Sequence, residues 1–278
     1  MYVLALLTLA SVMTYGSEVN NHDISNLYER HRGVINTIPF VGMGTAGLGE
    51  NTESIACLGL QAGFRLLDTA EAVEWYNETA LGHALRECET LQALAHETNV
   101  TTRKFDYDEV IIVTKVHPRS FGVKRMREAL SASSALIYTQ QPQRPLDIVL
   151  LHSPFCWPGH CSAEEEKVPW QTAWRNLEVL QKEDRVRSIG VSNFDASLLT
   201  ELLKMSNRKV AVVQNWMDPF HQDQEVRHIA REHGIVYMAY SSFGTQWHGR
   251  FGDRNPVLGN EVLQEVLVIL FKCFEGNF

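Results

Sequence analysis

Six short apolar runs in this chain each end in residues able to do chemistry. They are Asp68, Lys115, His152, Ser192-Asn193, Gln214-Asn215 and Tyr240-Ser241. A carboxylate, an ammonium, an imidazole, amides and hydroxyls are the groups that catalysis and ligand binding draw on. Each alone has a bland explanation. A Lys after a strand is mostly a solvated surface group, and a lone His is more often a hydrogen-bonded structural residue. Six polar endings in succession form a pattern. If the runs are parallel strands of a barrel, their C-terminal ends share one rim, and that rim builds the active site.

The elements needed to hold such a rim are visible. Strand patterns cover Phe40–Thr45, Phe64–Asp68, Val110–Lys115, Asp147–Leu151, Val186–Val191, Val210–Gln214 and Ile235–Tyr240. Runs such as VIIVTK, DIVLLH and VAVVQ are apolar throughout, as strands buried on both faces of a parallel sheet are. Helical patterns separate them at Glu53–Ala62, Glu78–Cys88, Val123–Tyr138, Val168–Lys182, Ala196–Met205 and Gln222–His233. Asn51 or Thr52 can cap the first helix and Ser120 the third. Gly234 stands where a left-handed residue ends the last. This alternation predicts one α/β domain, a (β/α)8 TIM barrel of the usual length of about 250 residues. Only seven strands are found, so the barrel is incomplete unless Val266–Phe271 supplies the eighth. The longest irregular pieces, Glu89–Asp108 and Ser153–Pro169, are candidate insertions over the site.

A competing reading starts from Gly42-Met43-Gly44-Thr45-Ala46-Gly47, which fits G-x-G-x-x-G, with Asp68 about 20 residues on. In a dinucleotide fold the third Gly opens the helix. Here Leu48-Gly49-Glu50-Asn51 intervene, and one match is weak among 18 Gly. The barrel with a Gly-rich first loop is preferred.

Composition narrows the function classes. The chain has 278 residues, 45% hydrophobic and 21% charged, with a net charge of −8. This excludes a disordered or disulfide-dense scaffold. Acidity without a Lys/Arg run argues against nucleic acid as a partner. The first 17 residues are uncharged and apolar from Val3 to Met13, too short to span a bilayer. They read as a signal peptide cleaved near Gly16. Residues 18–37 are then an N-terminal extension and 38–278 the barrel. The localisation expected is the secretory pathway or extracellular space, with an uncleaved cytoplasmic chain as the alternative. No other stretch is apolar enough to cross a membrane.

From Ile38 to Gly244 the chain resembles the aldo-keto reductase superfamily. The motifs are LDTAEAVEWYNETALGHAL (67–85), VIIVTKVHP (110–118), DIVLLHSP (147–154), IGVSNF (189–194), VVQNWMDPF (212–220) and YMAYSSFG (237–244). The resemblance implies a TIM barrel, NADPH as hydride donor, and a tetrad of Asp68, Tyr76, Lys115 and His152. It also implies that Ser192, Asn193 and Gln214 hold the nicotinamide carboxamide and that Tyr240 stacks on its ring. Ser241, Phe243 and Gly244 would line the pyrophosphate, with Gly44, Thr45 and Asp68 also in the cofactor site.

The chemistry of these residue types agrees. Carbonyl reduction needs a hydride, which no side chain supplies, and a proton at oxygen. A Tyr hydroxyl can give the proton, and an ammonium held by a carboxylate favours the phenolate left behind. A neutral His152 can hydrogen-bond the carbonyl oxygen and orient it. The expected activity is NADP(H)-dependent reduction of small aldehydes or ketones to alcohols. A non-catalytic relative that binds cofactor or a protein partner is the alternative, and a metal-dependent barrel hydrolase a third reading.

Two features depart from the family pattern. The family Tyr follows the Asp by five positions, where this chain has Val73; Tyr76 follows by eight, implying a short insertion within Ala72–Trp75, in the loop before the Tyr. Trp75 is then a candidate wall of the substrate pocket. In addition, nothing after Gly259 resembles the family's Lys-Ser pair and Arg that bind the adenosine 2′-phosphate, so weak NADPH affinity is expected. Among the five Cys, Cys156 and Cys161 can pair in an oxidising compartment or remain free thiols. Asn77 and Asn99 begin N-x-T sequons, and Asn77 is expected to be unmodified because a glycan there would obstruct Tyr76. No metal is expected: His117, His152 and His160 lack ligand partners at recognisable spacing.

Overall fold

A computed structural model of the chain describes residues 10–14, 38–94, 107–141, 143–165, 167–249 and 255–265. Seven parallel strands run in sequence order around a barrel: β2 Val41–Gly44, β3 Leu66–Asp68, β4 Ile111–Val116, β5 Leu146–Leu151, β6 Val186–Ser192, β7 Val212–Trp216 and β8 Val236–Tyr240. The helices between them are α1 Thr52–Gln61, α2 Glu78–Leu94, α3 Val123–Ile137, α4 Trp170–Lys182, α5 Ala196–Met205 and α6 Gln224–Glu232. The closed ring rules out the doubly wound reading of the glycine loop, which leads instead into a 3-10 turn at Gly49–Asn51.

The gap between β8 and β2 is filled by β1, Ala10–Thr14, antiparallel to both neighbours. Ala10 pairs with Gly44 and Met13 with both Val41 and Ala239. The β/α alternation is thus incomplete, with seven parallel strands as expected, and an antiparallel strand from outside it closes the ring. A ladder needs only extended backbone, so a strand from outside the β/α alternation can occupy the eighth place, and covering an edge removes a pairing liability. The other candidate for that place, Val266–Phe271, lies outside the described residues, as do residues 1–9 of the apolar leader.

Two cores follow from the strand pattern. Leu66, Val113, Ile148, Leu150, Val212 and Met238 point inward and fill the barrel. The alternate residues, including Leu67, Ile112, Val149, Val191 and Val213, pack outward under the helices. Side chains alternate along a strand. Stepping two residues from the inner set reaches Asp68, Lys115, His152, Gln214 and Tyr240. The same alternation that builds the inner core therefore aims these polar residues at the C-terminal mouth.

Local signals were followed with exceptions. Gly234 takes a φ of 61° after α6, as a left-handed terminator does. Asn51 and Ser120 are not side-chain caps. The Thr52 hydroxyl donates to the Gly49 carbonyl, and that of Ser120 donates to Glu71. The cap the sequence concealed is Asn77, whose Oδ1 accepts from the Ala80 amide at the start of α2 at 3.0 Å. The Glu89–Asp108 piece begins as the last turns of α2, and residues 95–106 lie outside the described residues, Asn99 among them. Cys57 and Cys88 pair as a disulfide joining α1 to α2, with Cα atoms 5.4 Å apart. The second disulfide is Cys156–Cys161.

Candidate active site

Four residues from three strand ends and one loop converge at the mouth. Lys115 is buried, and its Nζ donates to Asp68 Oδ1 at 2.6 Å and to the Thr69 carbonyl at 2.9 Å. The same Nζ lies 3.3 Å from the Tyr76 hydroxyl oxygen. The Tyr76 and His152 ring centroids are 5.9 Å apart. Gln214 Nε2 donates to the other carboxylate oxygen of Asp68 at 2.8 Å. Asp68 is thus held from two sides and holds the ammonium in turn.

The insertion before Tyr76 is absorbed by one tight turn. The Ala72 carbonyl accepts from the amides of both Trp75 and Tyr76 at 3.0 Å, and the Trp75 carbonyl accepts from Gly47 at 2.8 Å. Two carboxylates pin this loop to the segment after β4. Glu71 accepts from the His117 amide and the Ser120 hydroxyl. Glu74 forms a two-pronged pair with Arg119, which holds its carboxyl down at about 2. Glu71, Glu74 and Arg119 carry no signal in the sequence because each is an ordinary surface type; only the fold shows that they fix the position of the phenol.

The electrostatics assign protonation states. Burial pushes the Tyr76 hydroxyl up; Lys115 pulls it down but does not prevail, so at neutral pH the phenol keeps its proton. Burial opposes the charge on Lys115, yet Asp68 and Tyr76 together outweigh it and raise this group. Burial, reinforced by Lys115, pushes His152 well below its ordinary value, so its imidazole is neutral. Its Nδ1 is buried without a hydrogen-bond partner. The mouth thus offers a protonated phenol beside an ammonium and a neutral imidazole, a set able to protonate an oxyanion.

The opposite side of the mouth carries the residues expected at a cofactor. The Tyr240 hydroxyl donates to Asn193 Oδ1 at 2.6 Å. Asn193 Nδ2 donates to the His152 carbonyl at 2.8 Å and to the Ser192 hydroxyl at 3.1 Å. Asn193 and Ser241 are left-handed, with φ of 61° and 54°, and turn the chain across the rim. Ser241, Phe243 and Gly244 form one loop after β8, tied by Asn255 Nδ2 donating to the Phe243 carbonyl at 2.8 Å. Gly44 pairs with Asp68 in the sheet, and the Thr45 hydroxyl donates to the Asp68 carbonyl at 2.9 Å. Carboxamide-binding amides, a half-buried aromatic face and a Gly turn suit a nicotinamide and its pyrophosphate. The amide nitrogens of Asn193 and Gln214 are both engaged within the protein, the first by the His152 carbonyl and the second by Asp68.

The side of the mouth beside His152 is aromatic. Trp157 packs with ring centroids 5.0 Å from His152, 5.3 Å from Trp75 and 5.3 Å from His117. The Trp75 ring centroid lies 6.2 Å from that of His152. His117 and His160 are additions the sequence spacing did not reveal, because β4 and the loop after β5 bring them together only in space. A cavity of about 590 Å³ opens on the far side of the inserted loop, against Tyr76, Glu78 and Ser133.

The sequence profile of the Aldo/keto reductase family matches residues 41–267. The 9,11-endoperoxide prostaglandin H2 reductase of Trypanosoma cruzi is 29% identical over 231 residues, covering 82% of this chain and 68% of the relative. The D-galacturonate reductase of Fragaria ananassa is 30% identical over 249 residues, covering 84% and 70%. The NADPH-dependent D-xylose reductase of Meyerozyma guilliermondii is 28% identical over 227 residues, covering 74% and 66%. The chain thus spans about two thirds of the length of these relatives. Among solved structures, the fold matches a Bombyx mori aldo-keto reductase in complex with NADP, with a TM-score of 0.65 at 23% identity over 83% of this chain and 71% of that one. It also matches the aldose reductase of Giardia lamblia, with a TM-score of 0.64 at 25% identity over 81% and 71%.

Proposed function

The chain belongs to the aldo/keto reductase family, and from that premise we propose that it reduces aldehydes or ketones to alcohols with NADPH, Tyr76 acting as general acid. The observation that carries this reading is the 3.3 Å approach of Lys115 Nζ to the Tyr76 hydroxyl, kept despite the three-residue offset in the preceding loop. A bound nicotinamide cofactor supplies the hydride. The residues that would hold it are Ser192, Asn193, Gln214, Tyr240, Ser241, Phe243 and Gly244, with Gly44, Thr45 and Asp68 at the first strand ends.

The chain's own residues do the rest. His152, neutral and buried, orients the carbonyl oxygen toward the phenol. Tyr76 gives its proton to that oxygen as negative charge develops there. Lys115 stabilises the phenolate left behind, and Asp68 keeps Lys115 charged and in place. Trp157 and Trp75 exclude water from one side of the carbonyl.

Entry into the secretory pathway is part of the proposal. It is supported by the placement of four of the five cysteines in bridging pairs; the apolar leader adds no support, because Ala10–Thr14 within it closes the barrel as β1 and cleavage near Gly16 would remove that strand. The test of function is oxidation of NADPH, with NADH in parallel, against a panel of aliphatic, aromatic and sugar aldehydes, with the alcohol identified. Turnover on at least one aldehyde supports the reading; none, with cofactor shown to bind, refutes it.

A further inference from the structure

The loop after β5 brings two thiol-bearing residues against a buried imidazole. Cys156 Sγ, Cys161 Sγ and a ring nitrogen of His117 lie within 4.8 Å of one another, and theirs is the sole such group among the described residues. Two ligands on one tetrahedral zinc ion lie about 3–4 Å apart, given bond lengths of about 2.0–2.3 Å. The three atoms are therefore within a small rearrangement of a coordination set. A second observation points the same way. His117 is fully buried, its Nδ1 accepts the Arg119 amide at 3.2 Å, and its Nε2 has no hydrogen-bond partner. A buried polar atom left unpaired is costly, and a metal would satisfy it.

We propose that Cys156, Cys161 and His117 form a redox-gated site for a thiophilic divalent cation of the zinc class, closed as the disulfide and opened by reduction. A dithiol reductant breaks the sulfur–sulfur bond, delivering two electrons and two protons, and itself becomes a disulfide. The cation then displaces both thiol protons to solvent and binds two thiolates. His117 joins through Nε2, its ring proton moving to Nδ1 and the long bond from Arg119 being given up. Three protein ligands leave one position open. His160, in the same loop, has its ring centroid 6.4 Å from that of His117. The site adjoins the catalytic mouth without using it: Trp157, between the two cysteines, packs on both His117 and His152.

The test uses the full chain, oxidised or reduced with a phosphine and desalted without oxygen, titrated with cobalt(II) and then zinc(II). The reduced chain is expected to bind one cobalt(II) with a thiolate-to-cobalt charge-transfer band that zinc abolishes, and the oxidised chain to show no band. Cys156→Ser, at a half-buried loop position, at least halves the band, Cys156→Ser/Cys161→Ser abolishes it, and His117→Ala weakens binding at least tenfold. The double variant Cys156→Ser/Cys161→Ser keeps Cys57 and Cys88 and controls for them. A band that persists in the double variant, that is equal in the oxidised chain, or that is absent on reduction of a chain whose circular dichroism is unchanged overturns the proposal. So does undiminished affinity in His117→Ala.

Discussion

Asp68 and Gln214, 146 positions apart, meet at 2.8 Å across the barrel mouth, each two residues beyond an inward-facing core residue. The other oxygen of the same carboxylate holds Lys115 at 2.6 Å. One carboxylate thereby links Lys115, beside Tyr76, to the strand end that carries Gln214.

Asp68→Asn removes the charge and keeps the shape. Burial then acts on Lys115 with its principal counter-charge gone, so the ammonium deprotonates at lower pH than in the parent. The expected outcome is a fall in kcat/KM of about 10–100-fold, or about 1.4–2.7 kcal/mol, with the alkaline limb of the pH–rate profile moved to lower pH. An unchanged profile would show that Asp68 does not set the charge on Lys115.

Glu78 tests the electrostatics of the fold. Burial holds this carboxyl above its ordinary value, although hydroxyls of Ser133 and Thr114 donate to it at 2.6 Å. Between the ordinary and the raised value the unfolded chain releases the proton while the folded chain keeps it. Stability contributed by this group therefore falls as pH rises through that window. Glu78→Gln removes the penalty. Its Tm relative to the parent is expected to rise from pH 4 to pH 7; a difference that does not vary with pH would contradict this.

Gly82 lies where α2 crosses α3. A Cβ there would collide with the carbonyl oxygen of Leu136. Gly82→Ala would gain helix propensity at an exposed site, but here it must push two helices apart. A loss of about 1–3 kcal/mol is expected from chemical denaturation. Stabilisation would show that the helices are not in contact at this point.

The barrel was legible because fully apolar strands and amphipathic helices have different periods, and each strand run lies within two residues of its observed place. That Asp68, Tyr76, Lys115 and His152 meet at the mouth was legible through motif order, but not their geometry. Val73 in the expected Tyr position says nothing about how Ala72 closes a turn that returns Tyr76 to Lys115. Glu71, Glu74 and Arg119 were illegible because ion pairs between distant loops leave no periodic trace. The eighth strand was illegible for a different reason. Ala10–Thr14 has the composition of a leader, and its pairing with β2 and β8 depends only on backbone groups. The Cys57–Cys88 pair, 31 residues apart, needed the packing of α1 on α2 to appear.

The most direct measurement is NADPH consumption, with alcohol formation, by the parent chain and Tyr76→Phe on the best aldehyde found. The phenylalanine ring keeps the packing against Lys115 and His152 and removes the proton donor. The account predicts a fall in kcat of about 10²–10⁴-fold with cofactor binding retained. Turnover by Tyr76→Phe within a few-fold of the parent would contradict it.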